Sequence, residues 1–278
     1  MNTLQDLKRL RSALPGSNRL MPVLFLGHGS PMNGIENNSF SDAWKALGID
    51  LPRPKAVIVI SAHWFTSGTR ITAMDNPQTI HDFGGFPKAL FDVQYPAPGN
   101  PVLANETIAM VRSAHVAPDH DWGLDHGAWT VVRHMYPDAS LPVLQLSIDY
   151  TKPASYHYEL AKELGELRKR GVLLLASGNM VHNLGVISWD LPERGYDWAV
   201  EMNEIFKKHI IDGNHQALIS YEKLGPAARM SIPTPEHYLP LIYAVGLQEK
   251  SDSVTLFNDQ TLMGSISMTS LLLSTPAA

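Results

Sequence analysis

The sequence predicts a single α/β domain with a central, mostly parallel or mixed sheet and helices on both faces. Three observations lead there. Apolar runs of strand length recur along the chain, in VLFL, AVIVISA, LPVLQLSI and VLLLAS, and such runs between turn residues read as strands buried on both faces. Helical patterns separate them, and strands alternating with helices favour parallel pairing. The length of 278 residues suits one large domain of this class.

Residues 1–20 are expected to form a leader helix. Leu4, Leu7, Leu10 and Leu14 recur at helical spacing until Pro15-Gly16-Ser17-Asn18 breaks the pattern. The segment lacks the apolar stretch and small-residue cleavage site of a secretory signal, so a cytoplasmic location is expected. Residues 21–278 are then expected to form the main α/β domain. Val23–Leu26 is its first strand, stopped by Gly27-His28-Gly29-Ser30-Pro31, a turn no helix crosses. Phe40–Leu47 reads as a helix ahead of Pro52 and Pro54. Ala56–Ala62, rich in Val and Ile, is the strongest strand, and Thr69–Ala73 is a further one. Residues 75–100 are dense in Pro, Gly and aromatics and have no periodicity. A stretch of that length inside a domain typically serves as a lid or pocket wall.

Pro101–His115 is predicted helical, with Asn100 as cap and proline in the first turn. Trp122–Trp129 reads as a loop feeding a helix over Thr130–Tyr136. Leu141–Ile148 is a strand, Ala154–Lys169 a helix ended by Gly171, and Val172–Ser177 another buried strand. Helices over Tyr196–Ile211, Gln216–Leu224 and Glu236–Gly246 follow, and strands Ser253–Phe257 and Ser265–Leu272 close the chain.

Composition removes several function classes. With 44% hydrophobic residues the chain can build a core. A net charge of −5 gives no basic footprint, so no nucleic-acid partner is expected, and no apolar run is long enough to span a membrane. The absence of cysteine excludes disulfides, thiolate nucleophiles, iron–sulfur clusters and cysteine-ligated zinc. Dinucleotide-binding, phosphate-loop, HExxH and nucleophile-elbow patterns are absent too. The 12 histidines are left as the natural pool of metal ligands.

Four of them stand out. His28, His63 and His182 each follow a buried-type strand, and His237 stands at an expected helix start after Pro233-Thr234-Pro235. Ligands of open α/β sheets bind beyond the carboxyl ends of the strands. Three imidazoles delivered to that edge, with a fourth from a helix start, would form a metal site. Any one of them alone would more readily be a histidine bonded to a turn; two after buried strands favour function. His182 is either a fourth ligand or an acid/base near the metal. Glu236 is a rival oxygen ligand, better suited to a first helical turn. His126, between Asp125 and Gly127 and flanked by Trp122 and Trp129, suits proton transfer; the alternative is a structural histidine beside a helix-capping Asp125. His81, His115, His120, His134, His157, His209 and His215 are read as surface or packing residues.

Together these motifs resemble the class III extradiol ring-cleavage dioxygenases, the LigB-like superfamily, and most closely their 4,5-DOPA extradiol branch. The resemblance rests on Leu26-Gly27-His28-Gly29-Ser30-Pro31, Ser61-Ala62-His63-Trp64, Leu124-Asp125-His126-Gly127-Ala128-Trp129, Ser177-Gly178-Asn179 with His182-Asn183-Leu184, and Thr234-Pro235-Glu236-His237. It implies metal ligation by His28, His63 and His237, proton handling by His126 and His182, and one divalent metal per chain. Its implied substrates are a catechol and O₂. The common non-haem iron set is two histidines and a carboxylate, whereas a third histidine here admits Zn²⁺ as well as Fe²⁺.

The leading expectation is therefore ring opening of a catechol such as L-DOPA. Phe83, Phe86, Phe91 and Tyr95 are expected to form an aromatic wall, and Trp122 and Trp129 to stack on the substrate ring. The alternatives are a zinc hydrolase of amide or ester bonds and a metal-binding protein without turnover.

Overall fold

The computed structural model describes residues 20–276, so the leader helix expected over 1–20 falls almost wholly outside the described residues. The chain begins with β1 (Val23–Gly27), a 3-10 turn at Pro31–Gly34 and α1 (Ser39–Asp50). Next come β2 (Ala56–Thr66), β3 (Thr69–Thr72), α2 (Lys88–Phe91), α3 (Pro101–Met110) and β4 (Val116–Asp119). The middle holds α4 (His126–Met135), β5 (Val143–Asp149), α5 (Ala154–Lys169) and β6 (Val172–Gly178). The last part comprises α6 (Asp197–Ile211), α7 (His215–Ile219), α8 (Pro226–Ser231) and α9 (Leu239–Gly246). β7 (Ser253–Phe257), β8 (Thr261–Leu262), β9 (Ile266–Ser267) and β10 (Ser270–Ser274) end it.

One sheet runs β4-β3-β5-β2-β6-β1-β10-β7. Its centre, β5-β2-β6-β1, is parallel, while β3 is antiparallel to β5, and β10 and β7 are added antiparallel beyond β1. Every residue of β1, β5 and β6 is buried, as parallel strands covered on both faces require. Side chains alternate between two cores. Val23, Phe25, Ile58 and Ile60 face the side of α5, α6 and α9, while Leu24, Leu26, Val57 and Val59 face the side of α1 and α4. The expected mixed α/β architecture is therefore present.

β6 lies between β1 and β2, with Gly27 opposite Gly178 and Ser61 opposite Ser177. The segments leaving β1, β2 and β6 thus emerge side by side at one edge. At the opposite end, Arg168 is fully buried and holds Met21 O at 2.7 Å, Leu247 O at 2.8 Å and both carboxylate oxygens of Asp252. That clamp ties the start of β1 to the ends of α5 and α9.

Several boundaries differ from the sequence expectation. The helix expected over Pro101–His115 stops at Met110. Val111 N–H still reaches back to Thr107 O, but those of Arg112 and Ser113 bond the Glu163 carboxylate on α5, and Val116–Asp119 joins the sheet as β4 beside β3. Gln216–Leu224 divides at Ser220 into α7 and a 3-10 turn, and α8 follows behind Gly225 with Pro226 as its first residue. The last helix begins at Leu239 rather than Glu236, because Pro235 O takes the N–H groups of Tyr238 and Leu239 in a turn. Ser265–Leu272 is two strands, since Met268 N–H turns to Gln260 O and the ladder restarts at Ser270.

Candidate metal centre

His28 sits one residue past β1, its N–H bonded to Gly178 O at 3.3 Å. Its Nδ1 lies 3.0 Å from Ser177 Oγ, and that hydroxyl donates to Gly127 O at 2.5 Å. With the Ser177 proton committed, Nδ1 of His28 is the donor and its Nε2 keeps a bare lone pair. His63 lies within β2, which runs four residues past the expected Ala56–Ala62. Between Ile60, opposite Leu146, and Phe65, opposite Ile148, the register with β5 shifts. Such a bulge re-aims a side chain, and here it turns His63 to place its Nε2 3.1 Å from that of His28.

His237 stands in the turn before α9, where its carbonyl accepts the N–H of Asn179 at 2.8 Å. Gly178 makes this approach possible, because a Cβ there would strike the His237 carbonyl. Glu236 is not in a helical turn. It accepts from Thr234 Oγ1 at 2.7 Å and lies 3.4 Å from His237 Nδ1. His182 is bridged to Ile266 and bonded through its N–H to Ser231 O. Its ring stacks on that of His237, with centroids 3.5 Å apart and planes at 9°.

His126 is the first residue of α4, one turn earlier than expected. Asp125 is the N-cap: its Oδ1 accepts from Ala128 N at 3.1 Å and from Ser61 Oγ at 2.7 Å. Gly127 is required because a side chain there would meet Ser61 and His63. Asp82, in the aperiodic 75–100 loop, carries no sequence signal of its own yet joins this cluster. Its Oδ1 accepts the backbone N–H of His126 at 2.9 Å, and its Oδ2 lies 2.9 Å from His126 Nδ1 and 3.4 Å from His63 Nδ1.

The donor set fits a metal. Three imidazoles on one tetrahedral ion, with N at about 2.0–2.1 Å, have nitrogens about 3.3 Å apart and ring centres about 5.2 Å apart. The rings of His28, His63 and His237 are separated by 5.0, 5.4 and 5.0 Å. His126 also brings a ring nitrogen within 4.8 Å of those of His28 and His63. Its ring, however, lies 3.8 Å from that of His63 and 5.7 Å from that of His28, too uneven for the same coordination. His182, Glu236 and His237 form a second close group. Stacking sets His182 apart from it: a donor lone pair lies in its ring plane, and an ion in the plane of His237 is well out of the plane of His182.

Burial, then the neighbouring imidazoles, drives His28 and His237 well below the usual histidine pKa. Burial and the His126 charge bring His63 down to about 3, against the opposing pull of Asp82, and burial brings His182 to about 4. These rings are neutral at neutral pH, so no proton competes for their lone pairs. Burial alone would raise Asp82, but the hydrogen bond and charge of His126 hold it below the usual carboxylate value. Asp125 is pushed up to about 6 by burial and by the charge of Asp82.

The loop at 75–100 does supply an aromatic wall. Phe83 packs edge-on against His126 at 5.5 Å and against Phe86 and Phe91. Tyr95 is not part of it: this buried residue donates its hydroxyl to Tyr136 O at 2.8 Å and anchors the loop to the core. Trp129 is wholly buried with its Nε1 on Ile80 O, so it cannot stack on a ligand. Trp122 is stacked on Trp64 at 5.8 Å. His81, His134, His157 and His215 are packing residues, bonded to Val93 O, Asn33 O, Tyr243 and Tyr158 respectively.

Among the described residues no helix is long and apolar enough to cross a membrane. A profile described as the catalytic LigB subunit of aromatic ring-opening dioxygenase matches residues 23–269. The chain is 47% identical to a 4,5-DOPA dioxygenase extradiol of Escherichia coli K12 over 259 residues, covering 92% of this chain and 95% of that one. It is 32% identical to the 4,5-DOPA dioxygenase extradiol of Beta vulgaris, covering 85% and 90%. A crystal structure of an uncharacterized E. coli K12 protein superposes with a TM-score of 0.80 at 42% identity, covering 91% of this chain and all of that one. Nothing in these likenesses supports the zinc-hydrolase alternative. Fold, site and kinship agree that the chain belongs to the LigB family of extradiol aromatic ring-opening dioxygenases.

Proposed function

We propose that this enzyme opens the ring of a catechol beside its two hydroxyls, with L-DOPA or a closely similar catechol as substrate. Its metal ligands are His28, His63 and His237, and His126 and His182 serve as pocket acid/base groups. One observation carries the reading: the Nε2 atoms of His28 and His63 face each other at 3.1 Å while the Nδ1 of each is directed at an oxygen. Two nitrogen lone pairs so close repel unless a cation lies between them. Nδ1 contacts to hydroxyl or carboxylate oxygen are what histidine ligands typically make.

A divalent ion at that point, Fe²⁺ or Zn²⁺, would bind the catechol as a Lewis acid; of the two only Fe²⁺ would also let electrons pass from the catechol to O₂, since Zn²⁺ has no redox chemistry. The chain's own residues do the rest. His126 keeps its proton on Nδ1, donating it in a hydrogen bond to Asp82, which leaves the Nε2 lone pair free to take a catechol hydroxyl proton. Phe83, Phe86 and Phe91 offer an apolar surface for the flat ring. The ring itself supplies the electrons and both oxygen atoms end in the product, so no further reductant is consumed. The DOPA preference is supported by the names of the relatives.

The test is oxygen uptake by metal-free enzyme reloaded with Fe²⁺ or Zn²⁺, with L-DOPA, other catechols and ¹⁸O₂. Uptake of one O₂ per catechol with two labelled atoms in a ring-opened product is expected. No uptake with any catechol under either metal refutes the assignment. His28→Ala, His63→Ala and His237→Ala should each lose most bound metal; full metal content in any of them removes that residue from the ligand set.

A further inference from the structure

A single carboxylate enters the histidine cluster from the aromatic loop. Asp82 receives three approaches from two separate elements: the backbone N–H and Nδ1 of His126 at the start of α4, and Nδ1 of His63 in the bulge of β2. Its side chain is only 17% exposed, and the next residue, Phe83, lies edge-on to His126. A carboxylate is an acceptor only, whereas a neutral imidazole carries one N–H that can reside on either nitrogen. The imidazole proton of His126 is therefore placed on Nδ1, and its Nε2 is left bare. The 3.4 Å contact to His63 Nδ1 is too long for a strong hydrogen bond, but the negative charge favours the proton on that side too.

We propose that Asp82 is a positioning residue for the ring-opening reaction. It fixes the tautomer and orientation of His126, steadies His63, and ties the aromatic wall to both. This rests on the function proposed above. Because Asp82 and Phe83 are neighbours in one loop, a substrate that displaces the wall also acts on the two histidines. Asp82 touches neither substrate nor metal in this account; it acts through His126 and His63.

The experiment compares wild type, Asp82→Asn and Asp82→Glu by three measurements. The first is ¹⁵N NMR of histidine-labelled, metal-free protein, which reports which ring nitrogen of His126 carries the proton. Wild type and Asp82→Glu should show the proton on Nδ1, while Asp82→Asn should show a mixture or the Nε2 form. The second is zinc affinity by competition with a chelator, expected to weaken 10–100-fold in Asp82→Asn, the range for residues that support metal ligands. The third is steady-state turnover of a catechol, where kcat should fall by a similar factor with KM within about twofold. An unchanged His126 tautomer together with unchanged zinc affinity in Asp82→Asn overturns the proposal. Equal losses in Asp82→Asn and Asp82→Glu, tracking lost thermal stability, do so as well, because shape rather than charge would then be what matters. If wild type turns over no catechol, the functional reading fails, while the tautomer and zinc measurements still decide the role of Asp82.

Discussion

Gly178→Ala is a one-atom-group change that tests whether His237 is held by backbone geometry. Gly178 closes β6, and the carbonyl of His237 passes directly over it to accept the N–H of Asn179 at 2.8 Å. An added Cβ would collide with that carbonyl oxygen and lie 3.2 Å from its carbon and 3.0 Å from Pro240 Cγ. The obstacle is backbone, so no side chain can swing aside. Ordinary van der Waals separation requires the His237 segment to retreat by about 1 Å. Overpacking of this kind costs about 1–3 kcal/mol. A 1 Å displacement of a site residue costs about 10²-fold in rate, and metal affinity should weaken by a comparable factor. Thermal melts, zinc competition titration and catechol turnover measure the three effects. If Gly178→Ala binds zinc within twofold of wild type and turns over normally, His237 is not positioned by this contact and its place in the ligand set loses its structural support.

Three further outcomes are expected. Arg168→Met should lose about 3–5 kcal/mol in urea unfolding, because it strands the fully buried Asp252 charge, while Arg168→Met with Asp252→Leu should recover much of that; a single-variant loss under about 1 kcal/mol would show the pair is hydrated. Gly165→Ala on α5, where a Cβ meets nothing within 4 Å, should gain about 0.5–1 kcal/mol by the same assay, and a loss would contradict the open space. His157 is lowered by burial from 6.5 to about 4, so the unfolded chain takes its proton first as pH falls. Its effect is nil above pH 6.5 and costs stability between 6.5 and about 4 at up to about 1.4 kcal/mol per pH unit. His157→Asn should flatten the acid side of the stability curve by about one proton, and an unchanged slope would mean His157 protonates without cost.

The centre of the fold was legible because its signal is local. Val23–Leu26, Ala56–Ala62 and Val172–Ser177 are dominated by apolar residues and each is buried strand; β1 and β6 run one residue beyond those limits, whereas β2 continues four residues to Thr66. The errors fall where a distant group decides. Val116–Asp119 became a strand because Glu163 captured the preceding backbone and β3 offered an edge, and neither is visible from the residues of that segment. Aromatic content alone suggests Trp129 and Tyr95 as pocket residues, but the backbone carbonyls of Ile80 and Tyr136 give their polar atoms buried partners. Composition cannot tell an aromatic that lines a cavity from one that holds the loop down.

The same distinction explains the site. A histidine at the end of an apolar run announces itself in sequence, and the strand order then decides which of these histidines meet: β6 between β1 and β2 brings His28 beside His63, and the turn before α9 lies over the end of β6. Asp82 makes no such announcement. It sits in His81-Asp82-Phe83, in a loop without periodicity, and its principal partner is 44 residues further along the chain. A half-hidden aspartate must be stabilised by something, and the partners here are the Nδ1 atoms of His126 and His63 rather than an arginine or lysine. Once the fold places it there, the loop has two tasks, forming the apolar wall and delivering a charge that orients His126 and His63 behind it. Replacing Phe83 should therefore disturb His126 as well as substrate affinity, an effect on kcat and KM together that a passive wall would not produce.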